Sequence, residues 1–341
     1  MSHQRKVYTV VSFSPLPESL LRAIFAPYAD KLDGELEFIV LTDVSDWEKV
    51  SSALRKADVV IGDYTFRIPI DEKMCKAMER VRLIQQPSTG FDHIDVDACA
   101  RQGIPVANIG GANTISVAEY TVMAALALLR RLVFAHLKTS AGEWPQWQMM
   151  EMGTYEIDGK TWGVVGLGRI GREVARRARA LGARVLYYDK VRPSREVEEE
   201  LGVEYAPLPK LLRESDIVSI HVPLTPETRG MIGERELRLM KPTAVIINPA
   251  RGEVVDEAAL AKALEEGWIA GAAVDVYSTE PPPADHPLIK LAREGKANII
   301  VTPHIAGATT DARARIIQVT AENVVRALRG EKPLNVVNMQ L

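Results

Sequence analysis

A chain of 341 residues, 47% hydrophobic and 26% charged, is long enough for about two domains with sizeable cores and has the composition of a soluble globular protein. Its net charge of -3 excludes the electrostatic footprint of a nucleic-acid binder or of a protein held on anionic membrane, and two cysteines, Cys75 and Cys99, are too few for a disulfide framework or a CxxC metal site. The polar start, Ser2 to Lys6, has no signal-peptide pattern and the apolar run Val122 to Leu129 is too short to span a bilayer, so the expectation is a cytoplasmic protein with no metal and no membrane or nucleic-acid partner.

Strands are predicted at Lys6 to Phe13, Leu36 to Thr42, Asp58 to Asp63, Val81 to Gln86 and Ile104 to Ile109. Helices fall between them at Ser19 to Ala29, Asp46 to Ala57 (with Asp46 as N-cap), Asp71 to Arg80 and Asp95 to Gln102. This alternation predicts a first parallel α/β sheet. Ser116 to about Lys138 reads as one long helix, apolar on nearly every side and therefore buried, within the chain or against a second subunit. The Trp144 to Trp147 stretch reads as a loop.

Thr161 to Asp189 then carries a βαβ pattern. Val164 and Val165 lead into Gly166-Leu167-Gly168-Arg169-Ile170-Gly171, a helical segment runs to Leu181, and Arg184 to Asp189 forms a second strand. Gly166 suits a tight turn, Gly168 lets backbone approach a pyrophosphate, and Gly171 lets the helix sit close on the strand. Free N–H groups at the helix start favour negative charge. Asp189, 18 residues beyond Gly171, stands where a carboxylate accepts from an adenosine ribose. Together these predict dinucleotide binding.

Further strands are predicted at Val203 to Tyr205, Ile217 to Val222, Ala244 to Asn248, Gly271 to Tyr277 and Asn298 to Thr302, alternating with helices at Leu208 to Glu214, Glu234 to Met240, Asp256 to Glu266 and Leu288 to Glu294. This is a second doubly wound sheet. Arg251, Glu280 and His304 each follow one of its strands, on the edge shared with the glycine turn, and so face the nicotinamide end of a bound dinucleotide. Their chemistry suits carbonyl reduction. Hydride addition creates an alkoxide that needs a proton, a histidine can give it, a neighbouring carboxylate favours the imidazolium, and arginine offers a bidentate fork to a carboxylate.

At these residues the chain resembles the D-isomer-specific 2-hydroxyacid dehydrogenases, in their glyoxylate/hydroxypyruvate reductase or short phosphoglycerate dehydrogenase branches. The matching stretches are Gly90 to Ala98, Asn113 to Thr121, Gly166 to Ala175, His221 to Gly233, Ile247 to Leu260, Ala273 to Pro281 and Thr302 to Thr309. The resemblance implies a Rossmann dinucleotide-binding domain and a flavodoxin-like substrate domain. It implies that Arg251 binds the substrate carboxylate and oxo group, that His304 is the acid/base and that Glu280 is its partner. It places Gly166, Gly168, Arg169, Ile170, Gly171, Asp189, His221, Val222, Pro223, Thr228, Asn248, Pro249, Ala250, Asp275, Ala306 and Gly307 around the cofactor. Asp275 matches a residue near the nicotinamide amide. Ser88, Thr89 and Gly90 match the loop that clasps the substrate carboxylate by its backbone, although Pro87-Ser88 stands where small residues and glycine are usual. Tyr64 to Arg67 fall where the family sets side-chain selectivity.

Asp189 repels a 2′-phosphate, so NAD is expected over NADP, although Lys190 and Arg192 offer such a phosphate some compensation. A carboxylate at Glu280, rather than glutamine, speaks against a formate dehydrogenase. A reading from another class stays open: a dinucleotide-sensing regulatory protein on the same fold.

The last helix, Thr310 to Arg329, has no following strand, so it is expected to return to the first sheet. The expected layout is a discontinuous substrate domain, residues 1–109 and 308–341, around an NAD-binding domain, residues 110–307, hinged at Gly110, Gly111 and Gly307. A homodimer built on the long apolar helix is expected. Since the sequence ends soon after the last helix, the C-terminal regulatory domain of long phosphoglycerate dehydrogenases is not expected.

Overall fold

The computed structural model describes residues 6–339; the polar stretch before Lys6 lies outside them. The chain divides into two compact units, Met1–Asn113 with Thr310–Leu341, and Thr114–Thr309.

The first unit is built on β1 (Lys6–Ser12), β2 (Gly34–Val40), β3 (Val59–Ile61), β4 (Ile84–Gln85) and β5 (Val106–Ala107). They form a five-stranded sheet in the order β2-β1-β3-β4-β5, with every pair parallel. β3, β4 and β5 are shorter than the apolar runs predict, because burial keeps a segment apolar whether or not its backbone joins the ladder. Asp46, Asp71 and Asp95 each cap a helix by accepting a backbone N–H three residues on. The helix Thr310–Leu328 lays Ala321, Val324, Ala327 and Leu328 against Tyr8, Val10 and Leu83 of this unit. Asn323 fixes its depth, donating from Nδ2 to Gln85 Oε1 at 2.8 Å.

The second unit contains β6 (Thr161–Val165), β7 (Arg184–Tyr188), β8 (Val203–Tyr205), β9 (Ile217–Ile220), β10 (Val245–Asn248), β11 (Gly271–Val274) and β12 (Ile299–Val301). Their order is β12-β11-β10-β9-β6-β7-β8, again all parallel. Chain order reverses between β6 and β9, and a crevice for a ligand opens at that switch point in sheets of this kind. Both sheet faces are covered, as a parallel sheet requires: Trp162, fully buried, donates from Nε1 to Ser219 Oγ of β9 at 2.9 Å beneath one layer of helices.

Three helical expectations change. The predicted long helix is two, Thr114–Leu129 and Leu132–Ser140, because Arg131 takes a left-handed conformation (φ 48) and its guanidinium donates to the Met152 and Gly153 carbonyls. The first piece buries Val117, Ala118, Ala124, Ala125 and Leu128, whereas the second buries nothing and exposes Leu132, Val133 and Leu137. Beyond Trp144 and Pro145, the expected loop turns into a short helix, Gln146–Glu151, with Trp147 and Met150 exposed. A helix at Arg195–Leu201 was not predicted; it ends on Gly202 at φ 60. No helix among the described residues is long and apolar enough to cross a membrane.

Candidate active site

The glycine turn follows β6 at the switch point. Gly166 adopts φ 98, where a side chain is strained, and a Cβ there would stand 2.8 Å from the carbonyl carbon of His221 and 2.9 Å from Val222 Cγ1. The backbone after β9 therefore lies directly against the turn. A Cβ on Gly171 would run into the Gly166 carbonyl oxygen, which is why the helix Arg169–Ala180 can begin so close to the strand. Gly168 is the N-cap of that helix, carries no side-chain cap and has open space before it. A helix start with free N–H groups, no acidic first turn and room at its glycine fits a diphosphate in charge and in space.

Asp189, at the end of β7, accepts from Leu167 N at 2.7 Å through Oδ2 and from Val191 N at 3.0 Å through Oδ1. It thus braces the glycine turn. A carboxylate offers about four acceptor positions, so capacity for ribose hydroxyls remains. Arg192 is paired with Glu198 at 2.8 Å and lies over the Tyr205 ring at 4.5 Å, while the Tyr187 hydroxyl donates to the same Glu198. His221 Nε2 contacts Ser219 Oγ at 2.9 Å, and burial pushes the ring's pKa down to about 3, so the imidazole is neutral. Thr228 accepts from Thr225 N and donates to the Pro223 carbonyl at 2.6 Å, folding the loop beyond Val222.

Arg251, Glu280 and His304 meet beyond β10, β11 and β12. Asn248, the last residue of β10, accepts from Ala250 N at 3.1 Å and donates to the Arg251 carbonyl at 2.9 Å, closing the turn through Pro249 that presents Arg251. His304 Nδ1 lies 2.7 Å from Glu280 Oε2, and Tyr277 N donates to Glu280 Oε1 at 3.0 Å. Burial pushes the Glu280 carboxyl up, but the His304 hydrogen bond and charge, the Tyr277 N–H and the Arg251 guanidinium outweigh it, and the net shift is below the ordinary value of 4.5. A depressed carboxylate of this kind stabilises the fold above that value, and the contribution is lost as pH falls through the lowered pKa.

His304 is held in a left-handed conformation, φ 54, which costs a non-glycine residue free energy and is found where surroundings over-determine the backbone. Asp275 supplies that determination. Fully buried at 0% exposure, it accepts from Thr302 Oγ1 at 2.6 Å, Ile305 N at 2.8 Å and Ala306 N at 2.8 Å, and its carbonyl accepts from His304 N. This carboxylate, which the resemblance puts near a cofactor amide, accepts from three donors of the histidine turn. Two residues not anticipated extend this lock: the Tyr120 hydroxyl lies 2.6 Å from Thr302 Oγ1, and Ser116 Oγ donates to the Ala306 carbonyl at 2.6 Å. They stand four apart on the helix Thr114–Leu129, the one signal that could have found them. Gly307 follows this turn.

The loop Gln86–Gly90 belongs to the first unit. Gln86 Nε2 donates to Ser88 Oγ at 2.6 Å, Ser88 Oγ donates to the Gly90 carbonyl, and Asn108 Nδ2 donates to the Thr89 carbonyl. Side chains thus hold the loop that Pro87 enters. Beside it, Asp63 accepts from the backbone N–H groups of Thr65, Arg67 and Ile68, shaping the loop of Tyr64 to Arg67.

Residues 122–306 match the model of the D-isomer specific 2-hydroxyacid dehydrogenase NAD-binding domain. The chain is 47% identical over 274 residues to a glyoxylate reductase of Korarchaeum cryptofilum, covering 80% of this chain and 81% of that protein. The chain belongs to the D-isomer-specific 2-hydroxyacid dehydrogenase family. The dehydrogenase is also 44% identical to a glyoxylate reductase of Aeropyrum pernix, covering 88% and 90% of the two chains. Its fold is similar to that of the D-lactate dehydrogenase of Aquifex aeolicus, solved with NAD and lactic acid: TM-score 0.83, 33% identity, 98% of this chain and 100% of that one. Two parallel-sheet α/β domains, of Rossmann and flavodoxin-like type, are the architecture of this family, and the dehydrogenase is a hydride-transferring oxidoreductase of 2-hydroxy acids.

Proposed function

We propose that this dehydrogenase reduces a small 2-oxo acid to the D-2-hydroxy acid, with Arg251 binding the carboxylate and oxo group and His304 giving the proton, partnered by Glu280. The observation that carries the reading is the 2.7 Å contact of His304 Nδ1 with Glu280 Oε2, at a carboxyl that also feels the Arg251 charge. A reduced nicotinamide, when bound, supplies the hydride. Arg251 holds the substrate by its carboxylate and draws charge toward the oxo oxygen. As that oxygen becomes an alkoxide, the ring of His304 releases a proton to it from Nε2, and Glu280 steadies the protonated ring beforehand through Nδ1.

For the cofactor, the backbone from Gly166 to Gly171 would hold the diphosphate and Asp189 the ribose, with His221, Val222, Pro223 and Thr228 walling the adenosine. We favour NAD over NADP. Asp189 repels a 2′-phosphate, and Arg192, the cation nearest in sequence after Lys190, is already paired with Glu198. The test is a panel of glyoxylate, hydroxypyruvate and pyruvate with NADH and with NADPH; glyoxylate leads it because the two archaeal relatives bear that name. Turnover is expected with higher kcat/KM for NADH. NADH binding without turnover on any 2-oxo acid would return the chain to the sensing reading, and equal efficiency with NADPH would overturn the cofactor choice.

His304→Ala is expected to lower kcat by about a hundredfold or more while NADH binding, followed by fluorescence titration, stays near normal. Near-wild-type turnover in that variant would remove His304 from the chemistry. In Glu280→Gln the protonated ring loses its anion, so the alkaline limit of reduction should move to lower pH. The profile is to be measured where chemistry limits the rate; if it does not move, the two residues are not paired in function.

Exposed Leu132, Leu137, Trp144, Trp147 and Met150 on consecutive segments form more apolar surface than isolated side chains explain. We propose that a second copy covers them in a two-fold dimer. Sedimentation velocity at micromolar concentration should show one species of twice the chain mass, and a stable monomer would rule the dimer out.

A further inference from the structure

The helix Glu257–Glu265 begins six residues beyond Arg251, and an acid at its first position ordinarily sits in water, favoured there by the helix dipole. Glu257 does not. Its side chain is 13% exposed and both oxygens are used: Oε1 accepts from Ser278 N at 2.9 Å, and Oε2 accepts from Ser278 Oγ at 2.5 Å. Oε2 also faces His286 Nε2 at 3.2 Å, and that ring, 8% exposed, stands edge-on to Tyr277. A carboxylate withdrawn from water is costly unless its partners are well placed, and these partners flank Glu280 in the chain, Ser278 just before it and His286 beyond it.

The same segment is also held by a close backbone approach. A Cβ on Gly252, next to Arg251, would run into the Tyr277 carbonyl carbon and Ser278 N, so the two backbones touch there. Tyr277 in turn donates from its N–H to Glu280 and from its hydroxyl to the Thr302 carbonyl at 3.2 Å. Glu257 therefore ties the peptide that follows Arg251 to the peptide that presents Glu280, in two bonds to one residue.

We propose that Glu257 is a positioning residue for the hydride-transfer site: by clamping Ser278 it sets where Glu280 stands, and through Glu280 how the ring of His304 is held. His286 completes the clamp by facing the outer oxygen of Glu257. The proposal rests on the reading of Glu280 and His304 given above. It assigns Glu257 no contact with substrate or cofactor.

The test is a double-mutant cycle on the full chain with glyoxylate and NADH. Glu257→Ala is expected to lower kcat about tenfold, leaving the KM for NADH unchanged. Glu257→Gln should recover most of that loss, because its amide oxygen still accepts from Ser278. In a Glu280→Gln background, Glu257→Ala should cost little more, since the group it places is already disabled. Wild-type kcat in Glu257→Ala, or a full second loss in the Glu280→Gln background, would overturn the clamp. Should Glu257→Ala fail to fold, Ser278→Ala carries the same cycle: a fall in kcat that vanishes beside Glu280→Gln supports the proposal, and an unchanged kcat overturns it. A wild-type protein that reduces no 2-oxo acid would instead overturn the functional reading on which the clamp rests, whereas an active wild type with additive losses overturns the clamp alone.

Discussion

One carboxylate without access to water organises the end of the second sheet. Stripped of hydration, the Asp275 side chain must be met by donors, because a buried charge left unpaired would cost more than the loop around it could offset. The donors are the Thr302 hydroxyl and the N–H groups of Ile305 and Ala306, so satisfying the acid bends the chain around His304. The left-handed backbone at His304 is then a consequence of the charge beneath it. Tyr120 and Ser116 brace the far side of the same turn, so the helix that fills the core also sets the angle at which the histidine is shown.

Parallel pairing does the rest of the assembly. With every strand of the sheet running one way, the segments after β6, β9, β10, β11 and β12 all leave at one edge, and that edge collects the glycine turn, His221, Arg251, Glu280 and His304. Each side chain is then fixed locally by groups of its own segment or a neighbouring one: Asn248 behind Arg251, Tyr277 N behind Glu280, Asp275 behind His304. The sheet supplies coarse placement and these bonds supply the last ångström, the division of labour expected where loops on a rigid scaffold carry chemistry.

How much of this could be read from the chain alone follows the range of the signal. Gly166, Gly168, Gly171 and Asp189 lie within one βαβ unit, so spacing singled them out as candidates, and Arg251, Glu280 and His304 were singled out by their common position after strands. The helix break was hidden because Leu129-Arg130-Arg131-Leu132 holds no glycine or proline and arginine is a good helix former; the conformation of Arg131 is set by carbonyls some twenty residues away in sequence. Arg195–Leu201 was missed although Gly202 marks its end, since a run of glutamates looks like a solvated connection. The bond from Leu167 N to Asp189 depends on the register that sets Val165 beside Tyr188. Glu257 looks in sequence like an ordinary first-turn acid and Asp275 stands out only through the family motif, and burial in the fold reveals how each is used.

On the proposed reading Asp189 faces the ribose and also accepts from Leu167 N, and this double duty narrows the routes by which a lineage could change its nucleotide. In a turn whose shape is independent of its acid, exchanging that acid for a neutral or basic residue alters charge alone. Here the same exchange also deprives the Leu167 N–H of its acceptor and loosens the loop that must stay open above Gly168. Freeing Arg192 would mean breaking its pair with Glu198 and lifting it from the Tyr205 ring. Under that reading, cofactor drift in this protein would take several coupled substitutions, with the intermediate sequences carrying a weakened turn. Selection on folding would resist that path even where selection on the nucleotide was absent.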